Sequence, residues 1–312
     1  MRRARGRSLL KPLPLPPGST VGVCAPSGPV EPGPLEAGLR WLEEAGYRTR
    51  CAEHVRARSG FLAGTDGERL GDLLELVRAP EVRGIILARG GYGVGRLLRE
   101  LDAREIRRAR KLFVGYSDAT LLLLWLRRCA GLAGVHGPML ERSDATPTAR
   151  ARLLDILRGN GGGLPPLQGT PLAGGRARGP LVGGNLTLVA GSLGTPWEVD
   201  TRGAILFLEE VGEEPYAIDR FLLQLREAGK LREASGVAVG QLVDCSSERY
   251  PEVAARDVVA EILRAEVEGP IVEDLPFGHI ADNRALGVGI PAEIDGDRGT
   301  LVLLDRVVEE VA

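Results

Sequence analysis

Residues 112–120 read Leu112-Phe113-Val114-Gly115-Tyr116-Ser117-Asp118-Ala119-Thr120, and the chain continues Leu121-Leu122-Leu123-Leu124-Trp125-Leu126. An apolar, strand-like run meets a helical run at a turn of small residues, with a hydroxyl at the joint. Two readings fit this joint. The serine can simply cap an ordinary helix. Alternatively, the turn projects the hydroxyl clear of a sheet as a nucleophile, with the next helix's unpaired N–H groups facing incoming negative charge. Gly-Tyr-Ser-Asp is not the Gly-x-Ser-x-Gly pattern of lipase-type hydrolases, so the segment alone leaves both readings open.

Outward from this joint, strands and helices alternate. Residues 20–25, 47–51, 84–88 and 111–115 have strand character, and residues 34–45 and 65–77 carry leucines at helical spacing. A further helix is expected from Arg96. This alternation implies a parallel sheet with helices on both faces, whose functional groups gather at the carboxyl ends of the strands. The loops at residues 26–29, 89–95 and 116–117 should therefore share one rim. Beyond Arg142 the chain becomes rich in Gly and Pro, with a short helix expected at 148–157. Strands are expected at 204–208, 236–243 and 270–275, helices at 218–228 and 254–266, and a hairpin partner at 300–308. The expected organisation is α/β: a flexible basic arm over 1–17, an N-terminal parallel-sheet α/β domain over 18–142, a linker over 143–180, and a C-terminal β-rich α/β domain over 181–312.

Composition narrows the function. A net charge of −2 and 4% aromatic residues give no footprint for nucleic-acid binding. No run reaches the ~18 apolar residues of a membrane span, and the N-terminal apolar stretch is too short for a secretory signal, so a cytoplasmic protein without membrane attachment is expected. The four cysteines, Cys24, Cys51, Cys129 and Cys245, are widely spaced and form no CxxC pair, so reduced thiols are expected. With only three histidines, a His-rich metal site is hard to assemble.

Four features can carry chemistry. Arg89-Gly90-Gly91-Tyr92-Gly93 follows a strand, and its N–H groups could cradle an anion or approach a developing oxyanion. Ser117 is the second. Glu209 ends the run Ile205-Leu206-Phe207-Leu208, with Glu210 beside it as a competing acid. His279 lies in Phe277-Gly278-His279, and the order Ser…Glu…His is one that hydrolases use. His136 is the rival base on the first domain's rim, His54 suits an exposed position, and Asp118 suits capping of the helix after Ser117.

Several segments together resemble the serine LD-carboxypeptidases (muramoyltetrapeptide carboxypeptidases), a family with a microcin-immunity branch. They are Phe61-Leu62-Ala63-Gly64-Thr65-Asp66 with Arg69, Ala88-Arg89-Gly90-Gly91-Tyr92-Gly93, Gly115-Tyr116-Ser117-Asp118-Ala119-Thr120, Gly183-Gly184-Asn185-Leu186-Thr187-Leu188, Leu206-Phe207-Leu208-Glu209-Glu210, Asp219-Arg220 and Phe277-Gly278-His279. The resemblance implies an α/β domain joined to a β-rich domain with the active site between them. It implies Ser117 as nucleophile, His279 as general base, Glu209 as the residue orienting it, and N–H groups near Gly91 and of Asp118 as the oxyanion site. It further implies cleavage of the L,D-bond before the terminal D-alanine of murein tetrapeptide in peptidoglycan recycling, with no metal or cofactor, in a homodimer. Arg89 is the candidate partner for the leaving residue's carboxylate. Ile280-Ala281-Asp282-Asn283-Arg284 departs from the Leu-Pro that more often follows the Asn, which bears on substrate preference. Two rival functions remain: an immunity-type hydrolase of a peptidyl or acyl-sulfamoyl nucleotide, with Trp197 or Tyr250 as base platform, and a non-catalytic anion-binding protein.

Overall fold

The structure is a computed structural model that describes residues 9–142, 144–160 and 163–310. The N-terminal lobe carries β1 (Thr20–Cys24), β2 (Arg48–Cys51), β3 (Val82–Leu87), β4 (Leu112–Gly115) and β5 (Gly134–His136). Between them lie α1 (Pro32–Glu44), α2 (Asp66–Arg78), α3 (Ala103–Ala109) and α4 (Ala119–Trp125). These five strands are parallel neighbours in the order β5-β4-β3-β1-β2. The near-continuous apolar sequences of β1, β3 and β4 are buried on both faces, as parallel sheets require, whereas the edge strand β2 is polar and part-exposed. α2 begins at a reciprocal capping box, in which Thr65 and Glu68 satisfy each other's backbone N–H groups.

The C-terminal lobe begins with α5 (Pro147–Arg158), β6 (Leu167–Gln168), β7 (Thr170–Ala173), β8 (Arg176–Asn185) and α6 (Leu186–Gly191). It continues with β9 (Ile205–Val211), α7 (Pro215–Glu227), α8 (Lys230–Glu233), β10 (Gly236–Val243), α9 (Ala255–Glu266) and β11 (Ile271–Glu273), then β12 (Leu286–Val288), β13 (Pro291–Asp295) and β14 (Thr300–Leu303). Eight strands form one sheet in the order β6-β14-β13-β8-β9-β10-β11-β7, with β8 to β11 parallel at its centre. The amphipathic helices α7 and α9 bury Ile218, Leu222, Leu225, Val259 and Leu263 against it.

Several expectations need correction. The helix expected from Arg96 is two 3₁₀ turns, Val94–Arg96 and Leu98–Glu100. The α-helix starts only at Ala103, because the Asp102 side chain accepts from the N–H groups of Arg104 and Glu105. The expected 143–180 linker contains α5, β6, β7 and the start of β8. The expected flexible arm is bound to the body from Leu9 onward: Leu10 bridges Leu132, Leu13 N–H donates to Arg110, and Leu15 N–H donates to Leu157. Leu15 is fully buried, and its carbonyl accepts from Tyr47 Oη at 2.9 Å. Residues 1–8 lie outside the described residues.

The lobes share more than a linker. β12 leaves the second half of the chain to pair antiparallel with β5 at the edge of the first sheet, Leu286 opposite His136. One apolar cluster runs through both, joining Phe113 and Leu123 to Ile205, Phe207 and Phe277. Within that seam His136 is fully buried, its ring set edge-on to Phe207 at 5.2 Å and Phe277 at 6.2 Å. Neither ring nitrogen has a hydrogen-bond partner among the described residues. Burial, with a smaller contribution from His279, pushes its pKa down to about 3.

Two stability outcomes follow. Leu15→Ala should lower the unfolding free energy by about 2–5 kcal/mol in urea denaturation, as for a core leucine; an unchanged midpoint would show that the arm is dispensable. His136 is neutral when folded and protonates below its ordinary value near 6.5 when unfolded. The unfolded state therefore gains a proton first, and stability should fall as pH drops from about 6.5 toward 3, by up to about 1.4 kcal/mol per pH unit. His136→Asn should flatten that limb of the pH–stability curve; an identical slope in the variant would refute the assignment.

Candidate active site

The rim loops expected to meet do meet. Gly28 N–H donates to Gly90 O at 2.9 Å. The fully buried Arg69 guanidinium holds the carbonyls of Pro26 and Gly93, which accounts for its place in the sequence pattern. Asp118 is not the helix cap expected of it: its side chain makes no cap bond. Instead Oδ2 accepts from Ser27 Oγ at 2.6 Å and Val94 N–H at 2.8 Å, tying three loops together. Burial raises this carboxyl's pKa, and the two donors oppose the rise.

Ser117 stands on this platform at φ 60, a left-handed conformation unusual for a side-chain-bearing residue. The sharp turn between β4 and α4 produces it. A Cβ at Gly90 would lie 2.8 Å from Ser117 Cβ and 2.9 Å from its Oγ, so only glycine leaves the hydroxyl room. The backbone N–H groups of Gly91 and Asp118 make no hydrogen bond within the chain among the described residues, which leaves them available to an incoming oxygen.

The second lobe brings an acid and an imidazole to the same place. Glu209 and Glu210 are consecutive on β9, so they face opposite sides of the sheet. Glu209 is fully buried, and its Oε2 lies 2.7 Å from His279 Nδ1. Glu210 is turned away into a separate network, accepting from Asn185 Nδ2 at 2.6 Å, Thr187 N–H and Oγ1 at 2.8 Å, and Val211 N–H at 2.9 Å. Burial raises its pKa against those donors. Glu209, not Glu210, is thus the acid on the imidazole.

His279 keeps a side-chain exposure of 14%, so a ligand can reach it. Its ring packs on Tyr116, the residue before Ser117, with centroids 4.8 Å apart. This cross-lobe contact sets the imidazole beside the serine turn, although Ser117 and His279 share no hydrogen bond among the described residues. Such bonds often tighten only when substrate binds. Burial pushes the Tyr116 hydroxyl up to about 12, with Arg142 opposing as a hydrogen-bond partner. Tyr116 and Arg142, which spacing did not single out, join the candidate site through the Tyr116 ring's contact with His279.

The rival base His136 is not on the rim: its ring is fully buried, and neither nitrogen has a hydrogen-bond partner among the described residues. His54 is half-buried rather than exposed, with Nδ1 2.8 Å from Asp72 Oδ1. Arg89 donates from Nη1 to Pro29 O at 2.6 Å and sits 3.1 Å from Glu141 Oε2 through Nε. Trp197 is buried, whereas Tyr250 is exposed and lines a cavity of about 250 Å³ with Tyr216 and Asp219. All four cysteines are free, and only Cys24 is fully buried. Among the described residues, no helix is long and apolar enough to cross a membrane.

Known proteins share this architecture. Residues 21–137 match the LD-carboxypeptidase N-terminal domain, and residues 178–294 match the LD-carboxypeptidase C-terminal domain. A Bacillus subtilis protein named "Probable murein peptide carboxypeptidase" is 38% identical, covering 96% of each chain. The murein tetrapeptide carboxypeptidase of Pseudomonas aeruginosa is 34% identical over 89% of this chain and 94% of its own. The crystal structure of muramoyltetrapeptide carboxypeptidase from Oxalobacter formigenes superimposes with a TM-score of 0.82 at 30% identity, covering 91% and 97% of the two chains. The Escherichia coli Microcin C7 self-immunity protein MccF is 25% identical over 94% of this chain. With both halves matched and the lobes arranged as in these relatives, this chain belongs to the LD-carboxypeptidase family.

Proposed function

We propose that this chain is a serine-type LD-carboxypeptidase that releases the terminal D-alanine of murein tetrapeptide during cell-wall peptide turnover. The observation that carries this reading is the 2.7 Å bond between His279 Nδ1 and a fully buried Glu209, beside a serine held at positive φ. The names of the Pseudomonas and Oxalobacter relatives supply the substrate class.

In this reading Glu209 holds the Nδ1–H tautomer, leaving Nε2 to accept the Ser117 proton. Ser117 Oγ attacks the carbonyl of the L,D-bond, and the oxyanion is met by the N–H groups of Gly91 and Asp118. His279 then protonates the departing D-alanine amine as the acyl–serine bond forms. Water, deprotonated by the same ring, releases the acyl group and restores the serine. The leaving residue carries a carboxylate, for which Arg89 is the proposed partner. Binding there would compete with its present contacts to Glu141 and Pro29.

A second reading has its own support. Tyr250 and Tyr216 are 43% and 58% exposed along their cavity, beyond the carboxyl ends of β9 and β10, where a nucleobase could stack. An aminoacyl-sulfamoyl adenosine would then be the better substrate.

D-alanine release from murein tetrapeptide, measured beside cleavage of an aminoacyl-sulfamoyl adenosine, separates the two. Ser117→Ala should cost about 10⁵–10⁶ in kcat and Glu209→Gln roughly 10²–10⁴, with KM little changed. Glu210→Gln should instead lower thermal stability and leave the kcat of the folded enzyme within about threefold. Full peptidase activity in Ser117→Ala would end the serine mechanism.

A further inference from the structure

A second charged cavity, of about 550 Å³, opens between the lobes and is lined by Arg104, Arg127, Arg128, Pro180, Asp200 and Gly289 among others. It draws on α3, on the π-helical turn Leu126–Ala130 that continues α4, and on the second lobe's Pro180 and Asp200. That volume matches a small organic ligand rather than a lone water.

Its charges do not cancel. Asp200 is already in direct contact with two guanidinium groups, Arg202 at 2.9 Å and Arg128 at 3.1 Å, and these, with Arg127 at longer range, hold its carboxyl down to about 2. Asp102 caps α3, accepting from the N–H of Arg104 at 2.7 Å. Arg127 feels Asp200 only at longer range. Its stem packs against Gly289, and its guanidinium has neither a hydrogen bond nor an ion pair among the described residues. Burial lowers its pKa, and Asp200, which acts on it without a direct contact, opposes the fall. The Arg104 guanidinium, also without a partner among the described residues, stands at the same cavity. A part-buried guanidinium without a direct ion pair gains from an anion that can reach it. Guanidinium groups pair best with planar or tetrahedral oxyanions through two parallel N–H···O bonds.

We propose that this cavity is a binding site for a small phosphate-bearing anion, held by Arg127 and Arg104 and distinct from the Ser117 site. Arg128 takes no further part, since Asp200 already occupies it. Both holding residues belong to the first lobe, while Pro180, Asp200 and Gly289 of the second lobe close the cavity's other side.

The test uses the full chain at constant ionic strength, with sodium chloride as the matched control. Inorganic phosphate and a hexose phosphate are titrated while the thermal midpoint and the heat of binding are recorded. A saturable rise in midpoint is expected for at least one probe, and tighter binding of the hexose phosphate would identify an organic ligand as the source. Arg127→Gln should weaken that binding at least about tenfold. Arg104→Gln, at a more exposed position that folding does not require, should weaken it in the same direction, whereas Arg264→Gln on the surface of α9 should not. No saturable response to either probe, or an undiminished one in both Arg127→Gln and Arg104→Gln, would overturn the site.

Discussion

The seam between the lobes is where a strand's bare backbone meets a helix side chain. Gly184 on β8 lies so close to Thr120 of α4 that any Cβ would overlap the threonine side chain. Its φ of +144 is, moreover, one that L-residues rarely adopt. The next residue, Asn185, donates its N–H to Thr120 Oγ1 at 3.1 Å, so α4 is hydrogen-bonded to the second lobe three residues after Ser117. The Asn185 side chain then turns away to cap α6 and to hold Glu210. A sequence pattern that looks like a plain glycine turn is thus the place where the serine's helix and the strand pair carrying the acid are locked in register. Strand β12, crossing to pair with β5, makes the same junction from the other side.

Given that junction, the alternation of β9 does the rest. Glu209 and Glu210 are chemically identical and adjacent, yet one faces the imidazole and the other a cluster of four donors. A slip of one residue in the pairing of β9 with β8 would exchange them and strand an unmatched carboxylate in each environment. The register observed, Asn185 opposite Glu209 and Gly183 opposite Phe207, therefore decides which acid can serve the histidine.

Much of this was legible in the chain. The period-3.6 pattern located α1, α7 and α9, and short apolar runs located β1 and β10, to within a few residues, because those helices bury one clear face and those strands are mostly buried. The serine joint and the shared rim followed from the same alternation. What was not legible depends on partners distant in sequence. Nothing in Leu286–Val288 announces that it will complete the other lobe's sheet, since three residues carry no period. The arm read as loose because its prolines and arginines are surface-like, while the burial of Leu15 depends on a groove built by residues far along the chain. Choosing Glu209 over Glu210 likewise required the face of β9, which an apolar run ending in two acids does not reveal.

The acid–imidazole pair also shows why a buried charge is tolerable here. Glu209 is shut off from solvent, and its Oε1 has no hydrogen-bond partner among the described residues. Most buried carboxylates are better satisfied than this. The nearby His136 cannot help as a cation, because its own burial keeps it neutral. Glu209 is therefore under-solvated in the resting protein, and the one group positioned to relieve it is the His279 ring 2.7 Å away. Any event that places a proton on the far nitrogen of that ring creates a positive charge against a carboxylate with few competing partners. At this buried carboxylate, with the Tyr116 ring packed on His279, that attraction is stronger than it would be in water. The same burial that makes Glu209 costly in the folded protein is what makes it effective toward an imidazolium.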